Sequence, residues 1–594
     1  MPDEEKAVDN GSFSHSSAYN RSGTFFSSSF RVEGPGMPNT PWVEGLTIGQ
    51  AVRATAERRR EADALVFSQW GLRYSWTQLD AEVDRIARAL ISLGFERGSH
   101  LGVWATNGPE WVVLQYAAAR AGVVLVTINP AYRPAELAYT LGQSEVRGLA
   151  LVDRFKTANF DEILAEACPD LMHGEPGHVQ SRSFPHLRYL IRLRGADHPQ
   201  RLPWRELEQL GAATSPSLLA EREAELSPHD PICLQYTSGT TGHPKGALLT
   251  HRNLLLNAFY AAERQRLTGE DRLCVPVPLY HCFGCVLGTL CAATHGMTLV
   301  FPYESFQAEA TLQALEAERC TALYGVPTMF IALLEHPTFA SREINALRTG
   351  IMSGSPCPLE LMKRVTSELG VRELTIAYGQ TEAAPLITMT KTADPMEKRV
   401  GTVGTPLPHI EVKIVDPVTR KTLPDGQSGE LCCRGHNVML GYYRQPEATA
   451  AAIDADGWLH TGDLALRQPD GYFRITGRQK DMIIRGGENI APREIEELLY
   501  SHPQIEEAQV IGVPDSKYGE EVAAYIRLKR DCATTADEVR AFCEQHLARF
   551  KVPRYIQFVE RFPTTVTGKI QKFKLREQAI EDLGLQVQAK TEFA

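Results

Sequence analysis

The 594-residue chain lacks the features that mark nucleic-acid-binding and membrane-spanning proteins. Its formal net charge of -10 and its pI near 6.0 leave no excess of positive charge for a phosphate backbone, so we expect no nucleic-acid partner. The longest apolar stretch, residues 281–301, is interrupted by two histidines and by glycines. A lipid-spanning helix needs about 20 predominantly apolar residues, so we expect a buried helix followed by a strand there, and no transmembrane segment.

Cysteine is sparse and forms no disulfide-type pattern. Twelve cysteines are scattered along the chain, which excludes the class of small disulfide-stabilised secreted proteins and indicates a reducing compartment. Cys282 and Cys285 have the CxxC spacing of zinc ligands, but no second CxxC or HxxxH pair follows them. We therefore favour core packing over metal binding for both.

The first thirty residues lack the apolar segment of a secretory signal. They are rich in serine and carry Asp3, Glu4 and Glu5, which a typical acid-poor transit peptide would not. We expect residues 1–40 to form a flexible tail and the protein to be cytoplasmic. The mitochondrial matrix is the alternative location.

Length and periodicity predict a large first domain. A single hydrophobic core stops growing at roughly 250 to 300 residues, so this chain should divide. Apolar residues from Leu79 recur at helical spacing and end near Gly94, a residue type that terminates helices. The apolar runs at 101–105 and 123–128 flank a predicted helix and form a βαβ unit. We expect residues 41–479 to form an α/β domain with a doubly wound sheet.

The end of the chain predicts a second, smaller domain. Residues 482–484 and 508–513 have the apolar character of strands, and a helical pattern begins at Pro492. We place this α+β domain at residues 480–594.

A loop rich in glycine and hydroxyl groups gives the sharpest chemical signal. Between Tyr236 and Gly246 it combines glycines, whose backbone N–H groups can approach a ligand, with Ser and Thr hydroxyls and Lys245. Such a loop is suited to holding phosphates. It is not a Walker loop, because Pro244 stands where GxxxxGK requires glycine. The alternative, a generic flexible turn, explains this composition poorly.

Five motifs, in this order, resemble those of the acyl-adenylate-forming (AMP-binding) superfamily. They are residues 236–246, 377–382, 461–463, 477–481 and 567–569. Within that superfamily, residues 129–132, 483–490 and 568–577 resemble fatty-acyl-CoA synthetases. The resemblance covers about residues 45–580 and implies the acyl-CoA synthetase fold, a large multi-sheet N-terminal domain with a smaller mobile C-terminal domain.

The resemblance also implies an activity, that of a medium- to long-chain fatty-acid–CoA ligase. Carboxylate and ATP would give acyl-AMP and pyrophosphate, and acyl-AMP and coenzyme A would then give acyl-CoA and AMP. Mg²⁺ is the implied cofactor. Thr237, Glu382 and Lys569 are the implied catalytic residues, with Glu382 as the Mg²⁺ ligand and Lys569 bridging the carboxylate and the α-phosphate. Lys572 and Lys574, close to Lys569, are interpreted as ordinary surface lysines.

The same resemblance assigns the remaining site residues. The implied ATP and AMP contacts are Thr237, Ser238, Gly239, Thr240, Thr241, Gly242, Lys245, Ser353, Gly354, Ser355, Tyr378, Gly379, Gln380, Thr381, Asp463, Arg478 and Lys569. The implied acyl pocket is His281, Phe283, Gly284 and Val326, the CoA channel is Arg485, Gly486 and Gly487, and the hinge is Lys480. Among these, Tyr378 could instead be a core tyrosine and His281 an orienting histidine.

Residues 279–284 bear on the kind of acid that is activated. Amino-acid-activating relatives carry an aspartate in this region, and no acidic residue is present here, which favours an uncharged acyl tail. Three alternatives stay open. The enzyme could activate an aryl or short-chain acid, it could pass its acyl group to a carrier protein, or the chain could be a non-catalytic nucleotide-binding protein. The sequence does not indicate an oligomeric state.

Overall fold

The computed structural model describes residues 40–175, 177–195, 198–237, 244–354, 357, 359–485, 488–515, 518–547, 549–564 and 570–586. The chain divides into two compact units at Thr40, and every element below belongs to the unit Pro41–Ala594. The predicted flexible tail lies outside the described residues, apart from Thr40.

The first sheet has nine strands, of which the central ones are parallel and the edge pairs antiparallel. In spatial order they are Leu72–Ser75, Asp63–Phe67, Thr298–Phe301, Arg272–Cys274, Ala322–Gly325, Thr349–Met352, Glu373–Gly379, Leu386–Met389 and Thr405–Pro406. Parallel strands that are buried on both faces have short, continuous apolar runs in their sequence.

The second sheet has eight strands, of which the first six in spatial order are parallel. In spatial order they are Leu202–Pro203, Tyr189–Arg192, Gly148–Leu151, His100–Trp104, Val124–Ile128, Pro231–Thr237, Lys245–Thr250 and Gly441–Tyr442. The last two strands run antiparallel to their neighbours. The predicted βαβ unit is confirmed as His100–Trp104, Pro109–Ala121 and Val124–Ile128, in parallel register.

Helices pack around these sheets. The α-helices before the third sheet and within its connections are Ile48–Arg59, Trp76–Ser92, Pro109–Ala121, Pro134–Ser144, Phe160–Ala167, Trp204–Ala213, Pro216–Ala224, His251–Arg264, Thr289–His295, Ala308–Ala317, Pro327–Leu334, Leu359–Ser367, Met396–Gly401 and Pro446–Ala452. Shorter elements are the 3-10 turns Ser68–Trp70, Phe339–Ser341 and Thr381–Ala383, the π-helix Phe283–Gly288, and the hairpins Arg154–Phe155 with Ala158–Asn159 and Met172–His173 with Val179–Gln180.

The helix predicted from Leu79 is confirmed as Trp76–Ser92. Ser75 and Gln78 begin it with a capping box, in which each side chain accepts a hydrogen bond from the backbone N–H of the other residue. Gly94, just beyond its end, has the left-handed φ of +75° that favours glycine. The local signals in the sequence were therefore sufficient to place this element.

The third and fourth sheets follow one another along the chain. The third is antiparallel, in the order Ile410–Val415, Gly429–Gly435, Leu459–Arg467 and Phe473–Arg478. The fourth contains Glu488–Ile490, Ile483–Arg485, Gly519–Leu528 and Ile505–Asp515, with Tyr555–Phe558 pairing parallel to Gly519–Leu528. Its helices are Pro492–Tyr500, Ala536–His546 and Lys572–Asp582, and 3-10 turns lie at Gln479–Asp481 and Arg549–Lys551.

The third and fourth sheets belong to two separate apolar cores. The large buried core reaches Ile475 at its C-terminal end, whereas the next buried cluster begins at Ile483. The α/β fold class with a large multi-sheet part and a smaller C-terminal part is thereby confirmed. Among the described residues, no helix is long and apolar enough to cross a membrane.

Candidate active site

The two ends of the predicted phosphate-binding loop are held by neighbouring strands. Thr237 ends the strand Pro231–Thr237, Lys245 begins the next strand, and the two residues are antiparallel partners. Pro231–Thr237 is parallel to Val124–Ile128, so the loop leaves the carboxyl edge of the parallel strands, the edge where open α/β sheets bind ligands. The predicted residues Ser238, Gly239, Thr240, Thr241 and Gly242 lie outside the described residues.

Lys245 and Glu382 meet at the side chain of Tyr442. The Lys245 Nζ lies 5.0 Å from the centre of the Tyr442 ring, and the Tyr442 hydroxyl donates a hydrogen bond of 2.8 Å to Glu382 Oε1. Burial and the Glu382 carboxylate raise the pKa of Tyr442, which keeps the phenol protonated as a donor. A buried carboxylate beside a lysine fits a Mg²⁺-bound phosphate group, because Mg²⁺ prefers oxygen ligands.

Tyr442 was not among the site residues predicted from the sequence. It belongs to the short strand Gly441–Tyr442, which pairs with Lys245–Thr250 although about 200 residues separate them. No motif includes this residue, and only the long-range strand pairing brings it to Glu382. A tyrosine directly after glycine was the only local signal, and such a pair is not specific.

A second cluster joins Tyr378, Asp463 and Arg478. The Tyr378 hydroxyl donates to Asp463 Oδ2 at 2.8 Å, and Arg478 Nε lies 2.9 Å from Asp463 Oδ1. Burial, followed by the Asp463 carboxylate, raises the pKa of Tyr378, and the Asp463 carboxylate is the main reason that the pKa of Arg478 is raised. Each oxygen of the Asp463 carboxylate therefore already has one donor in the free protein.

The strand-like segment before Asp463 predicts that this residue lies just after a strand, and this prediction was wrong. It lies inside the strand Leu459–Arg467, directly opposite Arg478 on the strand Phe473–Arg478. The register between these two strands begins at the pair Asp463 and Arg478, and Thr461 and Gly462 lie outside it, with a left-handed φ of +69° at Gly462. This register is what places the arginine and the aspartate side by side.

Ser353 and Gly354 are tied to the strand that carries Tyr378. They follow the strand Thr349–Met352, and Ser353 Oγ donates to the backbone carbonyl of Ala377 at 2.7 Å. Gly354 has a φ of +92°, and a Cβ there would lie 3.2 Å from Val326 Cγ1. The structure thus brings the predicted nucleotide wall against Val326 of the predicted acyl pocket. Ser355 lies outside the described residues.

Gly379, Gln380 and Thr381 join the same strand to the turn that carries Glu382. Gly379 ends Glu373–Gly379, and a Cβ at this position would lie 2.0 Å from the Pro385 carbonyl oxygen. Gln380 precedes the 3-10 turn Thr381–Ala383. Only glycine fits this close approach, at the point where the chain leaves the strand for the turn that carries Glu382.

The predicted acyl segment lies next to this turn. The Cys282 Sγ is 3.8 Å from Thr381 Oγ1, and the Phe283 backbone N–H donates to His281 Nδ1 at 3.2 Å. Phe283 is buried and stacks on Tyr324 with 5.5 Å between ring centres, whereas His281 is exposed. A Cβ on Gly284 would lie 2.3 Å from the Pro278 carbonyl oxygen, so the backbone is tightly packed there.

The helix predicted in the apolar stretch 281–301 begins in an unexpected form. Phe283–Gly288 is a π-helix that continues as the α-helix Thr289–His295, and the strand Thr298–Phe301 follows as predicted. π-Helical turns are rare and often occur at functional sites. Cys282 and Cys285 are both buried and free, in keeping with the predicted core packing.

Arg485 of the predicted CoA channel is held by a buried acid. Its guanidinium makes a bidentate pair with Glu521, 2.8 Å at Nε and 2.8 Å at Nη2, and lies 4.5 Å from the centre of the Tyr518 ring. The hydrogen bond that Arg485 donates to Glu521 raises the pKa of Arg485. Gly486 and Gly487 lie outside the described residues.

Lys480 and Lys569 belong to segments that connect elements. Lys480 lies in the 3-10 turn Gln479–Asp481, between the third and fourth sheets. Lys569 lies outside the described residues, but Thr564 and Ile570, on either side of its segment, form a β-bridge.

The interpretation of Lys572 as an ordinary surface lysine was wrong. Its Nζ donates to Glu496 Oε1 at 2.5 Å and to the Val510 carbonyl at 3.0 Å. Glu496 is buried, so this ion pair anchors the start of the helix Lys572–Asp582 to the fourth sheet.

Comparisons with known proteins assign the family. The AMP-binding enzyme family matches residues 52–443, and the AMP-binding enzyme C-terminal domain matches residues 494–569. The chain is 47% identical over 544 residues to the putative acyl-CoA synthetase YngI of Bacillus subtilis, covering 91% of this chain and 98% of that protein. It is 43% identical over 548 residues to the mitochondrial medium-chain acyl-CoA ligase ACSF2 of Bos taurus, covering 91% and 89%.

Solved structures show the same fold. The anthranilate CoA ligase AuaEII in complex with anthranoyl-AMP superposes with a TM-score of 0.80 at 26% identity, covering 91% of this chain and 98% of that chain. ATP-bound MatB from Rhodopseudomonas palustris gives 0.78 at 28% identity, covering 91% and 100%. The chain therefore belongs to the AMP-binding enzyme family, as an ATP-dependent, AMP-forming acid–CoA ligase that uses ATP, Mg²⁺ and coenzyme A.

Proposed function

We propose that this ligase activates medium- to long-chain fatty acids. The observation that carries the proposal is the position of the apolar segment around Cys282 and Phe283, whose Cys282 thiol lies 3.8 Å from the Thr381 hydroxyl, next to Glu382. A carboxylate aimed at the phosphates would therefore extend its tail along an apolar surface that contains no acidic residue between 279 and 284. The names of the relatives that are 41–43% identical, medium-chain acyl-CoA ligases, point to the same class of acid.

The first half-reaction requires positive charge around ATP. Thr237 and the adjoining loop would hold the β- and γ-phosphates together with Lys245. Mg²⁺ bound at Glu382 would neutralise the pyrophosphate that leaves. A carboxylate oxygen attacks the α-phosphorus, the bond to the β-phosphate oxygen breaks, and Lys569 would stabilise the negative charge that develops on the α-phosphate.

Asp463 would hold the ribose. Its carboxylate accepts only, so both ribose hydroxyls can donate to it, and Arg478 and Tyr378 keep it oriented. Arg478 can then contact phosphate or ribose oxygens with the donors that Asp463 does not use. Tyr378 and the segment Ser353–Gly354 would form the two walls around adenine.

In the second half-reaction, Lys569 would leave the acyl-adenylate and the thiol of coenzyme A would approach it. The thiol attacks the acyl carbon, and AMP leaves with the former carboxylate oxygen. We place the domain boundary between residues 479 and 480 and the hinge at Lys480, within the turn Gln479–Asp481. Rotation there would remove Lys569 and bring Arg485 with Gly486 and Gly487 to the CoA channel.

A ladder of acids tests the substrate class. Purified protein would be incubated with ATP, Mg²⁺, coenzyme A and each fatty acid from butyrate to palmitate, with benzoate and anthranilate as aryl controls. We expect AMP and acyl-CoA to appear together, with the highest kcat/KM between octanoate and palmitate. A preference for an aryl acid would contradict the fatty-acid proposal, whereas an acyl-AMP that accumulates without thioester would indicate an acyl acceptor other than coenzyme A.

The cytoplasm is our proposed location. All twelve cysteines are free, which fits a reducing compartment. The mitochondrial matrix is also reducing, and the Bos taurus relative is named as mitochondrial. Cell fractionation with an antibody to the native protein distinguishes the two compartments.

A further inference from the structure

A group of metal-binding side chains lies on the third sheet, apart from Glu382. Glu430, Cys432 and His460 each offer one donor atom, and these three atoms lie within 4.8 Å of one another. The His460 Nδ1 is 2.9 Å from Glu430 Oε2 and 3.2 Å from Cys432 Sγ. Among the described residues, this is the single cluster with such geometry.

Strand pairing builds the cluster. Glu430 and Cys432 belong to Gly429–Gly435, and His460 is the antiparallel partner of Cys432 on the neighbouring strand. Glu430 and Cys432 are buried, and the His460 side chain is only 13% exposed. Ligands on paired strands are held more precisely than ligands on loops.

The surroundings of His460 match those of a metal-binding imidazole. Its Nε2 faces the Asp454 carboxylate at 3.5 Å, and Nδ1 is the nitrogen that faces Glu430 and Cys432. A carboxylate behind the outer nitrogen keeps the proton on that nitrogen and leaves the inner lone pair for a metal. The Arg420 Nη1 lies 2.6 Å from the same Nδ1, where it can donate to the inner lone pair.

The donor set selects a class of ion. One thiolate, one imidazole and one carboxylate are ligands for zinc-like divalent transition metals, whereas Mg²⁺ prefers oxygen ligands alone. Metal–ligand bonds of about 2.0 to 2.3 Å place neighbouring donor atoms roughly 3 to 4 Å apart, close to the separations seen here. Arg420, whose side chain is 54% exposed, supplies the positive charge that Glu430 requires when no metal is bound.

We propose that Glu430, Cys432 and His460 form a site for a zinc-class divalent metal, and that Arg420 occupies the cation position in its absence. Metal binding would displace the Arg420 guanidinium and release the Cys432 proton to solvent as the thiolate forms. This site is separate from the Mg²⁺ site at Glu382 and does not depend on the identity of the acid substrate.

A titration with Co²⁺ alone tests the site. Full-length protein, stripped with a chelator and free of nucleotide, would be titrated while the near-ultraviolet thiolate-to-Co²⁺ charge-transfer absorption is recorded. We expect one equivalent to produce this absorption in the native protein. Cys432→Ser should abolish it, and Cys532→Ser, which changes a half-exposed cysteine elsewhere, should leave it unchanged.

Arg420 provides the sharper control. Arg420→Ala removes the competing cation without touching a ligand, so Co²⁺ should bind at least about tenfold more tightly. Arg434→Ala removes an exposed arginine of the same sheet, paired with Glu411, and should leave the affinity unchanged. No charge-transfer absorption in either the native protein or Arg420→Ala would overturn the proposal, and so would absorption that persists in Cys432→Ser.

Discussion

Tyr442 lies between Lys245 and Glu382, the two charged groups proposed to face the phosphates. Replacing it by phenylalanine retains the ring beside Lys245 and removes only the hydroxyl that donates to Glu382. A hydrogen bond to a charged group contributes about 1.5 to 3 kcal/mol, so kcat for AMP formation should fall roughly 10- to 100-fold. The Mg²⁺ concentration needed for half-maximal rate should rise, because the carboxylate is no longer oriented.

A neighbouring tyrosine is the matched control for this change. Tyr443 donates its hydroxyl to Glu145 instead, so Tyr443→Phe should leave both the rate and the Mg²⁺ dependence unchanged. Equal losses in the two variants would mean that Tyr442 acts through general packing and not through Glu382.

Asp463 should determine how the enzyme recognises ribose. In Asp463→Asn the side-chain amide nitrogen can no longer accept a hydrogen bond, so KM for ATP should rise about 10-fold or more. The native enzyme should prefer ATP to 2′-deoxy-ATP, and the variant should lose most of that preference. Steady-state kinetics with the two nucleotides measures this directly. A variant that still discriminates between them would show that another group binds the 2′-hydroxyl.

At the scale of elements, the start of the π-helix Phe283–Gly288 depends on glycine. Gly284→Ala would place a Cβ 2.3 Å from the Pro278 carbonyl oxygen, which a rigid backbone cannot accommodate. Denaturant unfolding should show a loss of about 1 to 3 kcal/mol. Gly401→Ala, with no atom within 4 Å of the added Cβ, is the control and should change stability little. Equal stability of the two variants would contradict the tight packing described here.

The helix Trp76–Ser92 carries a buried acid whose charge is unfavourable. Burial is the main cause that raises the pKa of Glu82 to about 7, although Arg85 lies 2.7 Å from its carboxylate. The folded state therefore binds a proton that the unfolded state releases near pH 4.5, and stability should fall as the pH rises from about 4.5 to 7. Glu82→Gln should stabilise the protein at pH 8 by on the order of 2 kcal/mol, and this gain should vanish near pH 4. Thermal unfolding at both pH values measures it, and an equal gain at both would contradict this account.

Elements with local signals could be predicted from the sequence, and those that depend on distant pairing could not. Apolar periodicity and the terminating Gly94 placed Trp76–Ser92, and β-branched runs placed Val124–Ile128. The π-helix was not predictable, because a stretch that is apolar on every face carries no helical period. The sequence motifs predicted Glu382 and Asp463 as site residues, because each lies within a local motif. The contact of Tyr442 with Glu382 and the pairing of Asp463 with Arg478 could not be predicted, because both follow from strand register.

For the whole molecule, the proposed rotation of the C-terminal part rests on the presence of two separate apolar cores. The first ends at Ile475 and the second begins at Ile483, with the turn Gln479–Asp481 between them. Lys569→Ala should therefore separate the half-reactions. Acyl-AMP formation should fall at least about 100-fold, whereas thioester formation from supplied acyl-AMP should be nearly unchanged. Equal losses in both would contradict a role for Lys569 confined to the first step.

In the proposed mechanism, the carboxylate attacks the α-phosphorus of ATP. The most direct measurement uses octanoate labelled with ¹⁸O in both carboxylate oxygens, together with ATP, Mg²⁺ and coenzyme A, and analyses the products by mass spectrometry. One ¹⁸O atom should appear in AMP and the other in the thioester carbonyl, with unlabelled pyrophosphate. Formation of ADP and ¹⁸O-labelled inorganic phosphate would contradict the account, because it would require an acyl phosphate in place of the acyl adenylate.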